Sequence, residues 1–215
     1  MRDITEKPHH VKKYMRLAKK FGEDNNPCYS RKIGVVIVKP DNHRIVGMGY
    51  NSPPRNTPHC DEAEYLRDVV WPQLTQPEKD RFVNSTLVGS VLKLIDMEDD
   101  ELRDYAVHIH AGCKICPRKL IGAESSKRLE ICTCVHGEAN AITNSTSDLI
   151  GCVMFCWCPL PCVECTKLII QAGIKKVFCW SAERDYSFSS RWLFHKADVE
   201  IHEYSQEYYL EGQTQ

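Results

Sequence analysis

The spacing of apolar residues in the N-terminal part of the chain predicts a helix followed by a β-hairpin. In residues 8–22, apolar side chains recur at helical spacing, and the outer face is rich in lysine and arginine. The stretch KIGVVIVKPDNHRIVGMGYN, residues 32–51, then places two β-rich runs on either side of a PDN turn. Two such runs around a turn indicate two paired antiparallel strands.

From His136 onward, helical and strand patterns alternate. We expect helices at residues 136–145, 161–173 and 187–197, and strands at residues 151–158, 175–180 and 199–204. Repeated βα units with short links predict helices packed on a mixed or parallel sheet. The tail from Tyr208 onward is expected to be loosely packed.

Residues from about 61 to 131 interrupt this alternation. They carry many charges, and residues 62–71 and 80–95 have helical patterns. The apolar content of the segment is modest, so we interpret it as an insertion within a single domain that spans residues 1–215.

Composition narrows the classes of partner and the compartment. A formal net charge of −1 argues against non-specific binding to a polynucleotide and favours a small substrate. The sequence has no apolar run long enough to span a bilayer and no apolar segment typical of a secretory signal. We therefore expect a cytoplasmic protein whose 12 cysteines are metal ligands and core residues rather than disulfides.

Two short motifs at the starts of predicted helices carry the candidate chemistry. His136 lies two residues before Glu138, and Pro161 is followed by Cys162 and Cys165 in C-x-x-C spacing. One histidine and two cysteines supply three ligands to Zn²⁺ and leave a fourth position open, which is typical of catalytic zinc. A helix start also lowers the pKa of a thiol there, and thiolate is the form that binds metal.

Glu138 distinguishes a catalytic site from a structural one. Residues two apart lie on different faces of a helix, so His136 and Glu138 can converge only at the helix start. A carboxylate near a metal-activated water can move a proton without ligating the metal. H-x-E followed by P-C-x-x-C is the signature of zinc deaminases, in which water attacks an amino-bearing ring carbon. The other interpretation is a structural zinc knot.

At these motifs the chain resembles the cytidine deaminase superfamily and, within it, the deoxycytidylate (dCMP) deaminases. HGEANAI at residues 136–142, GMGYNSPP at residues 47–54 and LIIQAGIKKV at residues 168–177 are similar to segments of that branch. The similarity covers residues 9–60 and 132–204. It implies an α/β/α sandwich around a five-stranded mixed sheet. It also implies hydrolysis of dCMP to dUMP and ammonia, which supplies dUMP for thymidylate synthesis.

The resemblance assigns roles to individual residues. Asn51 would contact the substrate sugar and Tyr186 would stack on the pyrimidine, while the alternatives are a turn residue and a core residue. The preferred phosphate contact is Arg31, among the candidates Ser30, Arg31, Lys32, Arg55 and Arg184. The zinc would be held by His136, Cys162 and Cys165, with Glu138 as the proton shuttle.

The resemblance also bears on regulation. Many family members bind effectors at a GYNG-x-P segment, where dCTP with Mg²⁺ activates and dTTP inhibits a hexamer. Ser52 replaces the glycine of that segment here, which adds a Cβ where the backbone meets a nucleotide. Control by dCTP and dTTP therefore stays open. From the resemblance alone we expect a homo-oligomer, namely a hexamer.

Some phage and bacterial family members carry an additional zinc, and this sequence has cysteines at matching places. The preferred ligands are Cys28, Cys60, Cys132 and Cys134. Cys113 and Cys116 form another C-x-x-C that could replace two of these or form a third site. A closed site would fasten the insertion to the sheet, whereas the alternative is a set of buried free thiols.

The cysteines of the predicted strand at residues 151–158 have a different interpretation. Cys152, Cys156 and Cys158 share one strand face with Met154, so they read as packing residues, with Cys158 near the pocket floor.

Two other functions stay open on the sequence. The substrate could be another base carrier, namely a free nucleoside, a 5-modified dCMP or a base in RNA, although the near-neutral charge counts against polynucleotides. Alternatively, the chain is a zinc-stabilised regulatory or scaffold protein with a closed metal site. The intact Glu138 counts against that second alternative.

Overall fold

The computed structural model describes residue 5 and residues 7–85, 98–124 and 127–211. Its internal contacts divide the chain into two compact units. Unit 1 comprises Met1–Pro27, Arg31–Ser52 and Val135–Gln215, and unit 2 comprises Cys28–Ser30 and Pro53–Cys134. The predicted insertion at 61–131 falls within unit 2, and its place in a single domain stays a prediction. The described residues include no helix that is long and apolar enough to cross a membrane.

Unit 1 is built on a five-stranded mixed sheet. The strands are β1 (Gly34–Val38), β2 (Ile45–Tyr50), β3 (Val153–Cys156), β4 (Lys176–Trp180) and β5 (Glu200–Tyr204). They lie in the order β2-β1-β3-β4-β5. Strand β1 pairs antiparallel with β2 and β3, and β4 pairs parallel with β3 and β5. The predicted hairpin and mixed sheet are therefore confirmed.

The described helices have the following bounds. They are α1 (Pro8–Asn25), α2 (Ala63–Tyr65), α3 (Trp71–Gln73), α4 (Gln76–Asn84), α5 (Asp99–His110), α6 (Pro117–Leu120), α7 (Gly137–Thr143), α8 (Val163–Gln171), α9 (Ser187–Lys196) and α10 (Gln206–Leu210). Helices α1, α7, α8 and α9 agree with the sequence expectation within a few residues. Helix α8 begins at Val163 rather than Pro161, so Cys162 is its N-cap.

Helices cover both faces of the sheet in unit 1. Side chains of a strand alternate between the two faces, and strand β1 carries apolar side chains on both, so each face needs a covering layer. Val36 and Val38 of β1 pack in one core with residues of α1 and with Tyr209 of α10. Val35 and Ile37 pack in a second core with residues of α7, α8 and α9. The predicted α/β/α sandwich is thus confirmed.

The C-terminal segment differs from the expectation of a loose tail. Helix α10 begins after Ser205, whose Oγ accepts a hydrogen bond from the Tyr208 amide at 3.2 Å. Tyr209 is fully buried, and its hydroxyl donates to the Cys179 carbonyl at 2.9 Å. The prediction is wrong as far as Glu211, because one buried aromatic anchors a segment too short to show a period.

Unit 2 has an apolar core of its own. Helices α2 and α3 join through a π-helical turn, Leu66–Val70, so the predicted helix at residues 62–71 is present in modified form. The buried side chains of the unit 2 core include Leu66, Trp71, Phe82, Ala106, Ile121 and Ile131. The predicted helix at residues 80–95 is described only as far as α4, and residues 86–95 lie outside the described residues.

Helix α7 lies on strand β2 at backbone contact distance. A Cβ on Gly49 would lie 2.2 Å from the Gly137 carbonyl oxygen and 2.3 Å from the Ala141 amide nitrogen. A Cβ on Gly47 would lie 2.5 Å from the Ala141 carbonyl oxygen. Real Cβ atoms do not approach backbone so closely, so β2 needs glycine at these positions for α7 to pack where it does.

We predict that Gly49→Ala pushes α7 away from the sheet. The overpacking should cost about 1–3 kcal/mol of unfolding free energy and reduce bound zinc, because α7 carries His136 and Glu138. Urea unfolding and metal analysis measure both effects. Gly151→Ala is the control, since its new Cβ would meet no atom within 4 Å and its cost comes only from the positive φ of 75°. Equal zinc loss in the two variants would contradict the prediction.

Candidate active site

The three predicted zinc ligands meet where two helices begin. His136 is the N-cap of α7, Cys162 is the N-cap of α8, and Cys165 lies in the first turn of α8. His136 Nδ1 lies 3.5 Å from Cys162 Sγ and 3.4 Å from Cys165 Sγ. The ligand atoms of all three residues lie within 4.8 Å of one another, so the trio could hold a metal ion.

The electrostatics of the trio suit a metal that prefers nitrogen and thiolate ligands. The hydrogen bond with Cys165, assisted by His136 against the opposing effect of burial, lowers the pKa of Cys162 to about 4. The same hydrogen bond, together with burial, raises the pKa of Cys165. One sulfur of the pair is therefore a thiolate at neutral pH, and the donor set of one histidine and two cysteines fits Zn²⁺.

Glu138 lies beside the trio and is nearly fully buried, with 3% of its surface exposed. Burial raises the pKa of its carboxyl; His136 opposes this shift and Cys162 adds to it. Its Oε1 lies 3.6 Å from Cys158 Sγ, whereas Oε2 is buried without a hydrogen-bond partner among the described residues. An unpaired buried carboxylate oxygen is costly, and such groups concentrate at functional sites.

Two asparagines fix the segment that carries His136 and Glu138. Asn51 is buried, and its Oδ1 accepts a hydrogen bond from the Gly137 amide at 2.8 Å. Asn140 Nδ2 donates to the Tyr50 carbonyl at 2.8 Å and to Ser52 Oγ at 3.1 Å. The GYNS segment at the end of β2 and the HGEAN segment therefore hold each other in register. Within the described part of the chain, the Asn51 Nδ2 group is not used by a hydrogen bond.

Tyr186, the predicted stacking residue, lies within electrostatic reach of the zinc trio. Burial raises its pKa to about 12, and the nearby Cys158 and Cys162 add to that shift. Arg31 and Arg184 act on the same phenol in the opposite direction, which places both cations near it. Arg184 Nε is buried without a hydrogen-bond partner among the described residues, whereas Lys32 Nζ donates to the Asn26 carbonyl.

A second group of thiols lies in unit 2. Its members interact electrostatically with one another and are Cys28, Cys60, Cys116, Cys132 and Cys134. The hydrogen bond with Cys134 lowers the pKa of Cys132 to about 6. The four preferred residues of the predicted second site are thus electrostatic neighbours of Cys116. Among the described residues, only His136, Cys162 and Cys165 form a group whose ligand atoms all lie within 4.8 Å of one another. Cys113 is exposed, and its thiol donates to the Ile109 carbonyl at 2.9 Å.

Several residues with polar contacts near these groups were not identified from sequence. Asp61 is buried, and its Oδ1 lies 2.7 Å from His59 Nδ1. The contact between Cys158 and Glu138 joins the segment after strand β3 to helix α7. No spacing in the sequence signals either the buried state of Asp61 or a pairing between distant segments.

A His–Cys–Cys trio at two helix starts, beside a buried carboxylate outside the trio, defines a zinc deaminase type of site. A family model supports this class. The model, described as the cytidine and deoxycytidylate deaminase zinc-binding region, matches residues 8–181. The chain belongs to this family.

Individual relatives agree with the family. Deoxycytidylate deaminase of Schizosaccharomyces pombe is 22% identical over 192 residues, which cover 89% of this chain and 42% of that protein. The chain thus spans less than half of that relative's length. Deoxycytidylate deaminase of Enterobacteria phage T4 is 28% identical over 162 residues, covering 74% of this chain and 72% of that protein.

A solved structure supports the fold. The crystal structure of dCMP deaminase from the cyanophage S-TIM5, in complex with dCMP and dUMP, matches with a TM-score of 0.53 and 21% identity. The match covers 92% of this chain and 98% of that chain. At this identity the likeness concerns the fold.

We predict that Cys162→Ser removes one equivalent of zinc per chain. A serine hydroxyl does not ionise near neutral pH and is a poor zinc ligand, so a chelator of moderate affinity should strip the metal. Elemental analysis after dialysis measures the loss. Cys152→Ser is the matched control, because Cys152 is a buried thiol in the core between the sheet and helices α7, α8 and α9 and does not belong to the trio. Equal zinc content in the two variants would exclude Cys162 as a ligand.

Proposed function

We propose that this protein catalyses hydrolytic deamination of dCMP to dUMP with release of ammonia, and so supplies dUMP for thymidylate synthesis. The observation that carries the proposal is Glu138 Oε2, which is buried beside the His136, Cys162 and Cys165 trio and has no hydrogen-bond partner among the described residues. A structural zinc knot has no need of such a carboxylate, whereas a hydrolytic deaminase needs a proton carrier at that place.

Glu138 is the proton carrier in this proposal. Zinc, when bound by the trio, would supply Lewis acidity that activates water for attack on C4 of the base. Glu138 takes a proton from that water and delivers it to the ring nitrogen N3 as the hydroxyl adds to C4. It then moves the proton of the C4 hydroxyl to the amino group, so the C4–N bond breaks, ammonia leaves and the C4 carbonyl of dUMP forms. Burial raises its pKa, which brings the carboxyl closer to the range where it can both accept and donate a proton at neutral pH.

The proposed substrate contacts surround Tyr186. The Tyr186 ring would stack on the pyrimidine, and the uncommitted Nδ2 group of Asn51 would donate to the sugar. Arg31 and Arg184 would hold the 5′-phosphate, since both charges act on the Tyr186 phenol. A guanidinium binds a phosphate through two parallel hydrogen bonds.

We predict the highest kcat/KM for dCMP in a panel that also contains deoxycytidine, a 5-substituted dCMP and single-stranded oligonucleotides.

Glu138→Gln should keep zinc but lower kcat by about a thousandfold, because the amide cannot carry the proton. Glu164→Gln is the control, since Glu164 is an exposed acid on the neighbouring α8. An ammonia-release assay measures turnover. Zinc-loaded protein that leaves dCMP intact would refute the proposal, and inactivity on every cytosine substrate would favour the scaffold alternative.

The thiols of unit 2 support a second, structural zinc. A closed site of four ligands would be drawn from Cys28, Cys60, Cys132 and Cys134, with Cys116 as the alternative member. The lowered pKa of Cys132 favours the thiolate form that a metal requires. Such a site would fasten residues 28–30 to residues 53–134 within unit 2.

We predict two zinc ions per chain, of which Cys132→Ser removes the structural one. Metal binding contributes to folding free energy, so the variant should also melt at lower temperature. Cys113→Ser should keep both ions, because Cys113 is exposed and its thiol donates to the Ile109 carbonyl of the preceding helix α5. Elemental analysis and thermal melting are the measurements. A wild-type content of one zinc per chain would rule out the second site.

Effector control and a hexamer remain proposals from the family resemblance. Ser52 Oγ accepts a hydrogen bond from Asn140, and the Ser52 amide donates to the Val135 carbonyl at 3.2 Å. The residue that replaces the family glycine is therefore tied to the segment before α7. An effector such as dCTP with Mg²⁺, or dTTP, would act on Glu138 most directly through this connection.

A further inference from the structure

A buried group of thiols lies beneath Glu138 and is not used by the proposed mechanism. Cys156, Cys158 and Cys179 are all nearly inaccessible to solvent and belong to the core between the sheet and helices α7, α8 and α9. Cys158 differs from the other two because its Sγ lies 3.6 Å from Glu138 Oε1, within hydrogen-bonding distance for sulfur.

The backbone around Cys158 is held from two sides. The Trp157 amide donates to the Gly34 carbonyl of β1 at 2.8 Å, and the Cys158 carbonyl accepts from the Trp180 amide of β4 at 3.0 Å. Cys156, two residues earlier in the chain, places its thiol next to that of Cys158. These contacts leave the Cys158 sulfur little freedom to move relative to Glu138.

The Cys158 side chain can act only as a donor toward the carboxylate. The adjacent Cys156 thiol, burial and the neighbouring Glu138 together hold the pKa of Cys158 well above its ordinary value, so the thiol keeps its single proton. A thiol sulfur is a weak acceptor, so the carboxyl oxygen of Glu138 accepts this proton better than the Cys156 thiol does.

We propose that Cys158 is a positioning residue for Glu138: its S–H donates to Oε1 and thereby reserves Oε2 for proton transfer. This inference rests on the proposed function. A carboxylate has two equivalent oxygens, and its terminal torsion is broad, so an unanchored Glu138 would present either oxygen in varied orientations. A donor on one oxygen fixes the plane of the group before substrate arrives, which is electrostatic preorganisation.

The competing explanation is that Cys158 only fills space in the core. Threonine and valine separate the two explanations, because they have nearly the same shape and only threonine can donate a hydrogen bond. Serine and alanine form a smaller pair that answers the same question if the larger side chains disturb the core. Purified zinc-loaded variants are assayed with dCMP, and kcat and KM are determined separately.

We expect Cys158→Thr or Cys158→Ser to keep kcat within about twofold of wild type. Cys158→Val or Cys158→Ala should lower kcat about fivefold to tenfold with KM and zinc content unchanged, the loss expected for one hydrogen bond that acts on the chemical step. The matched control is the Cys179→Thr and Cys179→Val pair, since Cys179 is an equally buried thiol of the same core. That pair should show equal kcat values.

Three results would overturn the inference. They are equal kcat in the donor and non-donor variants of Cys158, a loss confined to KM, and the same donor dependence at Cys179. Failure of the proposed function is distinguishable, because it is seen in the wild-type protein alone as inactivity on dCMP. If another cytosine compound of the panel is the substrate, the same variants are compared with that compound.

Discussion

The close contact between helix α7 and strand β2 is the constraint on which the candidate site depends. Two glycines, Gly47 and Gly49, allow the helix backbone to lie against the strand backbone. That contact fixes the position of the first turn of α7. Only at this turn can the side chains of His136 and Glu138 converge on one site. The Asn51 and Asn140 side chains then hold this start against the end of β2. Glycine spacing in a strand thus determines where the buried carboxylate of Glu138 lies relative to the His136, Cys162 and Cys165 trio.

The sheet order brings the second half of the site to the same place. Strand β1 runs antiparallel to β3, and β3 runs parallel to β4, so the start of β1 lies beside the ends of both other strands. Arg31 precedes β1, Cys162 and Cys165 follow β3, and Arg184 and Tyr186 follow β4. Ligands in open α/β sheets bind outside the carboxyl ends of strands, where loops and helix starts supply the contacts. Substrate-binding candidates from three separate segments therefore meet at one edge because of strand direction.

The parts of the site that follow from local spacing could be predicted from the sequence. H-x-E and C-x-x-C each open a helix, so their local spacing is sufficient to predict the trio and the neighbouring Glu138. The approach of Cys158 to Glu138 depends on how helix α7 packs against the sheet, and no local pattern encodes it. The packing of Tyr209 on the sheet has no sequence signal either, because α10 is too short to show a period. The membership of Cys116 in the unit 2 thiol group depends on how an irregular segment folds, so spacing left it as one of two options.

The cysteines of this chain show how the environment assigns chemistry to one residue type. At a helix start, hydrogen bonding with a second thiol lowers the pKa of Cys162 and yields a thiolate for a metal. Inside the sheet core, burial keeps the pKa of Cys152 raised, which leaves a small apolar side chain. Cys158 lies between these cases, because a carboxylate and a second thiol face it in a dry core. A protonated thiol within 3.6 Å of a carboxyl oxygen is then neither a metal ligand nor simple packing. In the proposed mechanism it is a fixed dipole beside the proton carrier, and such a dipole would affect the reaction without touching the substrate.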